Sequence, residues 1–146
     1  METKFITKFF SELTTRELYE IVRARTEVFL LEQKIICQDF DGVDYDSLHC
    51  FLECDGRVVA YLRAYRSEED TVKIGRVLTI PHGVGLGKRL MKEAILQIKG
   101  RMNSKAITLH AQKHAQGFYE KLGFKVTSPD FLEENILHVA MILENI

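Results

Sequence analysis

The stretch Pro81-His82-Gly83-Val84-Gly85-Leu86-Gly87-Lys88-Arg89-Leu90-Met91 decides how this chain is read. It packs three glycines into five residues, between an apolar run that ends at Ile80 and a segment with Leu86, Leu90, Met91, Ala94, Ile95 and Ile98 at helical spacing. Glycine at a strand-to-helix junction lets the backbone bend sharply and approach a ligand with no Cβ in the way. The helix that follows offers N–H groups without intrahelical acceptors and the positive end of its dipole, and both suit a phosphate. Lys88 and Arg89 fall in the first helical turn, where the dipole disfavours cations, and a bound polyanion would offset that cost. Two common phosphate loops are excluded by spacing. The fingerprint G-x-G-x-x-G would need glycine at Lys88, and G-x-x-x-x-G-K-[ST] fails at His82 and again at Arg89.

On either side of this loop the pattern predicts one domain spanning 1–146, in the order β-α-β-β-β-α-β-α-β-β. Phe5 to Phe10 reads as a strand. Thr14 and Glu17 form a capping-box pattern for a helix from Thr15 to about Leu30, with Leu18, Ile21, Val22, Arg25 and Phe29 on one stripe. Strands are expected over Leu48 to Cys54 and Arg57 to Arg66, joined by the hairpin signal Asp55-Gly56, and over Thr71 to Ile80. The second helix should end near Gly100. Ala106 to Ala111 reads as a strand and Gln112 to Leu122 as a helix with Gly123 at C′, followed by strands at Lys125 to Thr127 and Ile136 to Leu143.

Composition narrows the class. The chain has 146 residues, 46% apolar and 28% charged, an ordinary globular profile. Twenty basic against twenty-one acidic residues give a net charge of −1, which argues against a general nucleic-acid binder. No window approaches the ~18 uninterrupted apolar residues of a membrane span. Cys37, Cys50 and Cys54 are too few and odd in number for a disulfide framework, so a cytoplasmic location is expected.

A second landmark is Gln112-Lys113-His114-Ala115-Gln116-Gly117-Phe118-Tyr119-Glu120-Lys121-Leu122-Gly123-Phe124. Together with His82 to Met91 it resembles the GNAT superfamily of acyl-CoA-dependent N-acyltransferases. Their glycine motif reads Arg/Gln-x-x-Gly-x-Gly/Ala and their later motif N-x-x-A-x-x-[FL]-Y-x-K-x-G-F. His82 stands here for the Arg or Gln, and Gln112 for the asparagine. Arg25 to Gln33, Asp41 to Asp44 with His49, and Glu133 to Met141 with His138 extend the resemblance to one branch, the ElaA-like proteins.

The resemblance implies a mixed, mostly antiparallel α/β sheet with helices on both faces, and acetyl-CoA as cosubstrate. Leu78, Thr79 and Ile80 would bond the pantetheine arm like an added strand. His82, Gly83, Val84, Gly85, Leu86, Gly87 and Lys88 would hold the pyrophosphate, with Gln112 bonding the pantetheine. Tyr119 matches the family tyrosine that protonates the leaving thiolate. The acceptor is expected to be a small-molecule or peptide amine, with no nucleic acid or membrane partner and a homodimer left open. A catalytically weak acyl-CoA-binding regulatory module is the alternative.

Acyl transfer from a thioester needs a neutral amine, a donor for the developing oxyanion and a proton for the departing sulfur. Candidate bases are His110, at the end of a strand beside the cleft, and His138, on one face with Ile136, Ala140 and Ile142. His49, Glu32 and Glu53 are further candidates. Arg25, inside the first helix's apolar stripe, and Arg63, beside Tyr61 and Tyr65, read either as buried ion pairs or as a grip on a substrate carboxylate. Arg76 is open in the same way. No metal is expected: Cys50 and Cys54 would stand ~13 Å apart on a strand (~3.3 Å per residue), too far to share an ion.

Overall fold

Backbone hydrogen bonding sorts residues 2–146 of the computed structural model into eight strands and three α-helices. These are β1 (Lys4–Phe9), α1 (Thr15–Arg25), β2 (Leu48–Cys54), β3 (Arg57–Glu68), β4 (Thr71–Thr79), α2 (Leu86–Met102), β5 (Ala106–Gln112), α3 (Gln116–Lys121), β6 (Lys125–Val126), β7 (Phe131–Glu133) and β8 (Ile136–Glu144). All strands join one sheet in the order β1-β2-β3-β4-β5-β8-β6, with β7 beside β8. The pair β4–β5, linked by the α2 crossover, is parallel, and the other pairs are antiparallel. The expected mixed, mostly antiparallel fold is the one observed.

Two apolar layers hold it together. On one face Leu90, Met91, Ala94 and Ile98 of α2 meet Leu48, Cys50, Leu52, Leu62, Ile74 and Leu109 of the sheet, and Tyr119 and Phe124 join this cluster. On the other, Ile21 and Ala24 of α1, with Val28, pack on Phe51, Tyr61 and Leu78. Each fully buried Leu, Ile or Met side chain contributes ~1.5–3 kcal/mol.

A bulge in β4 shapes everything downstream. Arg63 pairs with Gly75 and Tyr61 with Leu78, so one residue of β3, Leu62, faces two of β4, Arg76 and Val77. The additional residue, Arg76, sits at φ 56°, in the left-handed region. Side chains four apart on a regular strand share a face. Here Ile74 is buried against α2 and Leu78 against α1, on opposite faces. The β4–β5 ladder runs from Thr71–Ala106 to Ile74–Leu109 and stops at the bulge. Beyond it the two strands diverge and leave a slot.

Several boundaries differ from the sequence reading, each for a local reason. Thr14 caps α1 with the expected box to Glu17. The helix then changes winding at Thr26 and runs to Glu32 as a π-helix, closed by the Gln33 N–H to the Val28 carbonyl at 2.9 Å. Gly100 does not stop α2, which continues to Met102 and ends where Asn103 turns left-handed at φ 50°. The third helix is shorter than Gln112–Leu122: Gln112 stays in the sheet, paired with His138, and a 3-10 turn over Lys113–Ala115 precedes α3. Gly123, at φ 100°, closes α3, with the Phe124 N–H on the Tyr119 carbonyl and the Gly123 N–H on that of Glu120. Strand β7 was not expected. It forms a two-residue hairpin with β8 through Glu134 and Asn135, both at positive φ.

The segment between α1 and β2 is fixed by charge. Arg25 gives its Nε to Asp39 at 3.1 Å and its Nη1 to Asp44 at 2.6 Å. Arg63 gives Nη1 to Asp44 at 3.1 Å and both terminal nitrogens to Asp41. Arg76 Nε lies 2.7 Å from Asp39. Hydrogen bonding from Arg63 holds the Asp41 carboxyl down at about 2, against an ordinary 3.8. A depressed folded-state value means stability that is present above the unfolded value and lost as pH falls toward the folded one. Melting temperature should therefore decline as pH drops from about 4 to about 2. Asp41 is partly solvent-screened, so Asp41→Asn should cost only ~1 kcal/mol at neutral pH, ~2–4 °C in Tm, and flatten that decline. Circular-dichroism melts across this range check both, and a wild-type curve flat between these two values would contradict the assignment.

Candidate active site

The slot between β4 and β5 opens into a cavity of about 1230 Å³ that reaches both faces of the sheet. Such a volume exceeds the usual span for a single compact ligand, ~300–1,000 Å³, and suits an extended one. On the α2 face it is lined by Val77, Thr79, the glycine loop, Lys88 and Lys92, with Phe118, Tyr119 and Lys121 from the α3 side. On the α1 face it is lined by Phe29, Gln33, Cys37, Arg76, His110, Gln112, Glu133 and His138.

The glycine loop is built as a cradle. Gly83 and Gly85 hold φ 76° and 84°, and a Cβ on either would enter open space. Gly85 is the N-cap of α2 and has no side chain to cap it, so the first-turn N–H groups of Leu86, Gly87 and Lys88 lack an intrahelical acceptor. Gly87 packs closely instead: a Cβ there would stand 3.3 Å from the Phe118 ring, which would have to give by a few tenths of an ångström. His82 lines the cavity, and both of its ring nitrogens have partners. Its Nδ1 lies 3.2 Å from the Thr79 hydroxyl, and its Nε2 lies 2.8 Å from Glu32 Oε2. Ile80 N–H goes to the Val59 carbonyl at 2.7 Å, which ties the end of that strand to β3 rather than to the cavity. Leu78, although buried, and Thr79 both line the cavity, and Ile80 does not.

Across the slot, Gln112 gives its amide to Gln33 Oε1 at 2.9 Å and accepts from His114 Nε2 at 2.8 Å. The π-helical end of the first helix thus reaches both lips of the slot, through Glu32 to His82 and through Gln33 to Gln112.

Tyr119 is 6% exposed and lines the cavity, and among the described residues its hydroxyl has no hydrogen-bond partner. Burial pushes its hydroxyl up to about 12. His110 lies on the other face of β5, since Leu109 and Ala111 face α2. Its Nδ1 meets Glu133 Oε1 at 2.8 Å. His138, paired across from Gln112, sets its Nδ1 2.7 Å from the Ile136 carbonyl and its Nε2 3.7 Å from Glu133 Oε2.

The remaining candidates divide. His49 is fully buried, and both ring nitrogens are taken, by the Tyr61 hydroxyl at 2.7 Å and the Asp44 carbonyl at 2.9 Å. Its environment lowers its pKa through desolvation, and it serves the fold. Glu53 pairs with Lys4 and Val58 in the sheet and does not line the cavity. Arg25 is 2% exposed, its three nitrogens all have partners on Asp39 and Asp44, and it does not line the cavity. The carboxylate-grip alternative finds no donor of Arg25 reaching the cavity. Arg63 does line the cavity, but its terminal nitrogens are committed to Asp41 and Asp44. No cluster of three or more His, Cys, Asp or Glu able to hold a metal occurs among the described residues, and none of their helices is long and apolar enough to cross a membrane.

Lys92 was not named from sequence, and Lys121, Gln33 and Glu133 appeared only within matching stretches, with no role given. Lys92 had a readable signal, since it follows Lys88 by four and shares its helix face. Glu133 had no periodic signal, because β7 is three residues long.

Comparison with known proteins agrees with this architecture. A family model for the acetyltransferase (GNAT) domain matches residues 16–145. A UPF0039 protein of Schizosaccharomyces pombe is 39% identical over 145 residues, 97% of each chain. Protein ElaA of Escherichia coli is 34% identical over 140 residues, 92% of each chain. The crystal structure of Escherichia coli ElaA matches with a TM-score of 0.91 at 30% identity, covering 98% of this chain and all of that one. A Pseudomonas aeruginosa structure described as an acyl-CoA N-acyltransferase matches at 0.89 with 35% identity, covering 96% and 99%. With the motifs, the fold and these relatives in agreement, the chain belongs to the GNAT acetyltransferase family, in its ElaA-like branch.

Proposed function

We propose that the protein transfers an acetyl group from acetyl-CoA directly to a primary amine of a small molecule or peptide, in the cytoplasm. The observation that carries this reading is the slot itself. It connects a phosphate-suited cradle and a tyrosine hydroxyl on one face with an imidazole nitrogen on the other, neither of them hydrogen-bonded among the described residues.

Acetyl-CoA would supply an activated acyl thioester. The residues present fit it: first-turn N–H groups of α2 and Lys88 for phosphates, the edge of β4 around Leu78 and Thr79 that β5 leaves unpaired for the pantetheine arm, and Lys92 and Lys121 for further negative charge. His110 takes a proton from the acceptor amine, whose nitrogen forms the new bond to the acyl carbon. Tyr119 donates toward the sulfur as the carbon–sulfur bond breaks, and solvent returns its proton after His110 releases one. A tyrosine near 12 is fully protonated at working pH, the form a donor requires. Against a thiolate of ordinary pKa ~8.5 it is a weak acid, so part of its effect is a hydrogen bond to developing charge.

Tyr119→Phe keeps the ring and removes only the donor. With acetyl-CoA and the best amine of a panel of polyamines, amino acids, aminoglycosides and peptide N-termini, kcat should fall by about 10²-fold. The acetyl-CoA Kd should stay within about twofold of wild type. Wild-type kcat in the folded variant, with chemistry rate-limiting, would remove Tyr119 from the reaction, and binding without any thiol release would point to a regulatory module.

Gly85→Val puts a β-branched side chain at φ 84° and a Cβ into the cradle. Calorimetry should show coenzyme A binding weakened at least tenfold, ~1.4 kcal/mol, in a variant that still folds. Unchanged affinity would place the pyrophosphate elsewhere.

Direct transfer needs no acyl-cysteine. Burial pushes the Cys50 thiol up to about 12 and also raises that of Cys37, the one cysteine lining the cavity among the described residues. Cys37→Ala should keep most of kcat, and an acetylated Cys37 trapped in mass spectrometry would overturn the direct route.

A further inference from the structure

The acceptor side of the slot contains a carboxylate that the reaction as written does not use. Glu133 Oε1 lies 2.8 Å from His110 Nδ1, and its Oε2 lies 3.7 Å from His138 Nε2. An ionised carboxylate only accepts hydrogen bonds, so the His110 nitrogen that faces it carries the hydrogen. In the neutral ring the lone pair is then on Nε2, which has no hydrogen-bond partner among the described residues, on a ring that lines the cavity. The Ile136 carbonyl likewise only accepts, so His138 carries its hydrogen on Nδ1 and turns Nε2 toward Glu133.

Packing holds this arrangement in place. Phe131, two residues before Glu133 on the same strand face, meets the His110 ring edge-on at 5.1 Å and stacks beside His138 at 6.0 Å. Glu133 pairs with Ile136 across a turn whose two residues, Glu134 and Asn135, hold φ 51° and 61°. Neither is glycine. Two-residue hairpin turns need positive φ at both positions and favour Asn and Gly, so Asn135 suits this turn and Glu134 is the residue that surrounding structure must hold.

We propose that Glu133 is the positioning residue of the acceptor-side proton path: it fixes His110 as the Nδ1–H tautomer, keeps Nε2 open to the amine and stabilises the imidazolium that forms. The inference rests on the acyl-transfer reading above. As the amine nitrogen bonds to the acyl carbon, its proton passes to His110 Nε2. The carbon–sulfur bond breaks, and the sulfur takes its proton from Tyr119. The imidazolium stays paired with Glu133, which remains ionised, until it releases its proton to solvent and solvent reprotonates Tyr119.

The test has two arms on the full chain. Long-range proton–nitrogen spectra of the neutral rings should show His110 as Nδ1–H in wild type and shift it toward Nε2–H in Glu133→Ala. An unshifted tautomer overturns the proposal whether or not an acceptor is known. In thiol-release assays, Glu133→Gln keeps the shape and removes the charge, and should lower kcat about tenfold with acetyl-CoA affinity unchanged. Added to His110→Ala it should cost less than about twofold more, since a residue acting through His110 has nothing left to act on. Losses that multiply, or a Glu133→Gln enzyme as fast as wild type, overturn the role while leaving acyl transfer standing. Wild-type protein that releases no thiol with any amine removes both.

Discussion

One extra residue in β4 controls this molecule. Because Arg76 is bulged at φ 56°, the strand reverses which side chains face each layer, and its ladder with β5 ends at Ile74–Leu109. A regular strand would have continued the pairing to the glycine loop and filled the space with hydrogen bonds. The bulge instead opens a slot between two adjacent strands of a continuous sheet, and it leaves backbone groups of β4 available to a ligand. A left-handed arginine is costly and needs external support. Arg76 has it from Asp39 and Asp41, which face it from the segment between α1 and β2.

That support belongs to a larger network of three arginines and three aspartates. Asp44 shows the balance within it: burial alone would raise its carboxyl, yet Arg25 and Arg63 hold it below its ordinary value. Buried ion pairs add little net stability over apolar packing, but removing one partner is expensive because it strands the other charge. Here they fix the course of a polar segment that has almost no apolar core of its own. The same segment extends the π-helical end of the first helix, whose Glu32 and Gln33 span the two lips of the slot. Shape at the mouth therefore depends on charge pairing some distance from the glycine loop.

The two faces of the sheet divide the chemistry. Tyr119 belongs to the α2-side core, where desolvation keeps it protonated, and among the described residues its hydroxyl has no partner but the cavity. His110 is one strand position away from the residues that pack against that core, on the opposite face, beside solvent and Glu133. Alternation along β5 thus puts His110 on the sheet face opposite the core that holds Tyr119, and the slot is open to both.

The glycine loop, the Asp55-Gly56 hairpin, the capping box at Thr14 and the Gly123 stop were all legible in the sequence, because each depends on local backbone chemistry within a few residues. The motif from Gln112 to Phe124 likewise singled out Tyr119. The alternatives left open at Arg25 and Arg63 could be decided only in three dimensions, since the aspartates that occupy them lie between 14 and 22 residues away in sequence. His49 looked as available as His110 until its two nitrogens were seen to be taken by Tyr61 and Asp44. Gln112 was assigned to a helix because its motif continues into one, but pairing with His138, contributed by a strand 26 residues later, holds it extended. Strand β7 and Glu133 gave no periodic signal, because three residues cannot show a repeat of two against background. The sequence by itself determined the elements, the family and the phosphate-suited loop, whose causes are local. The slot, the commitment of the arginines and the Glu133–His110 pair were decided by the tertiary structure, because each depends on a bulge or a contact between segments far apart along the chain.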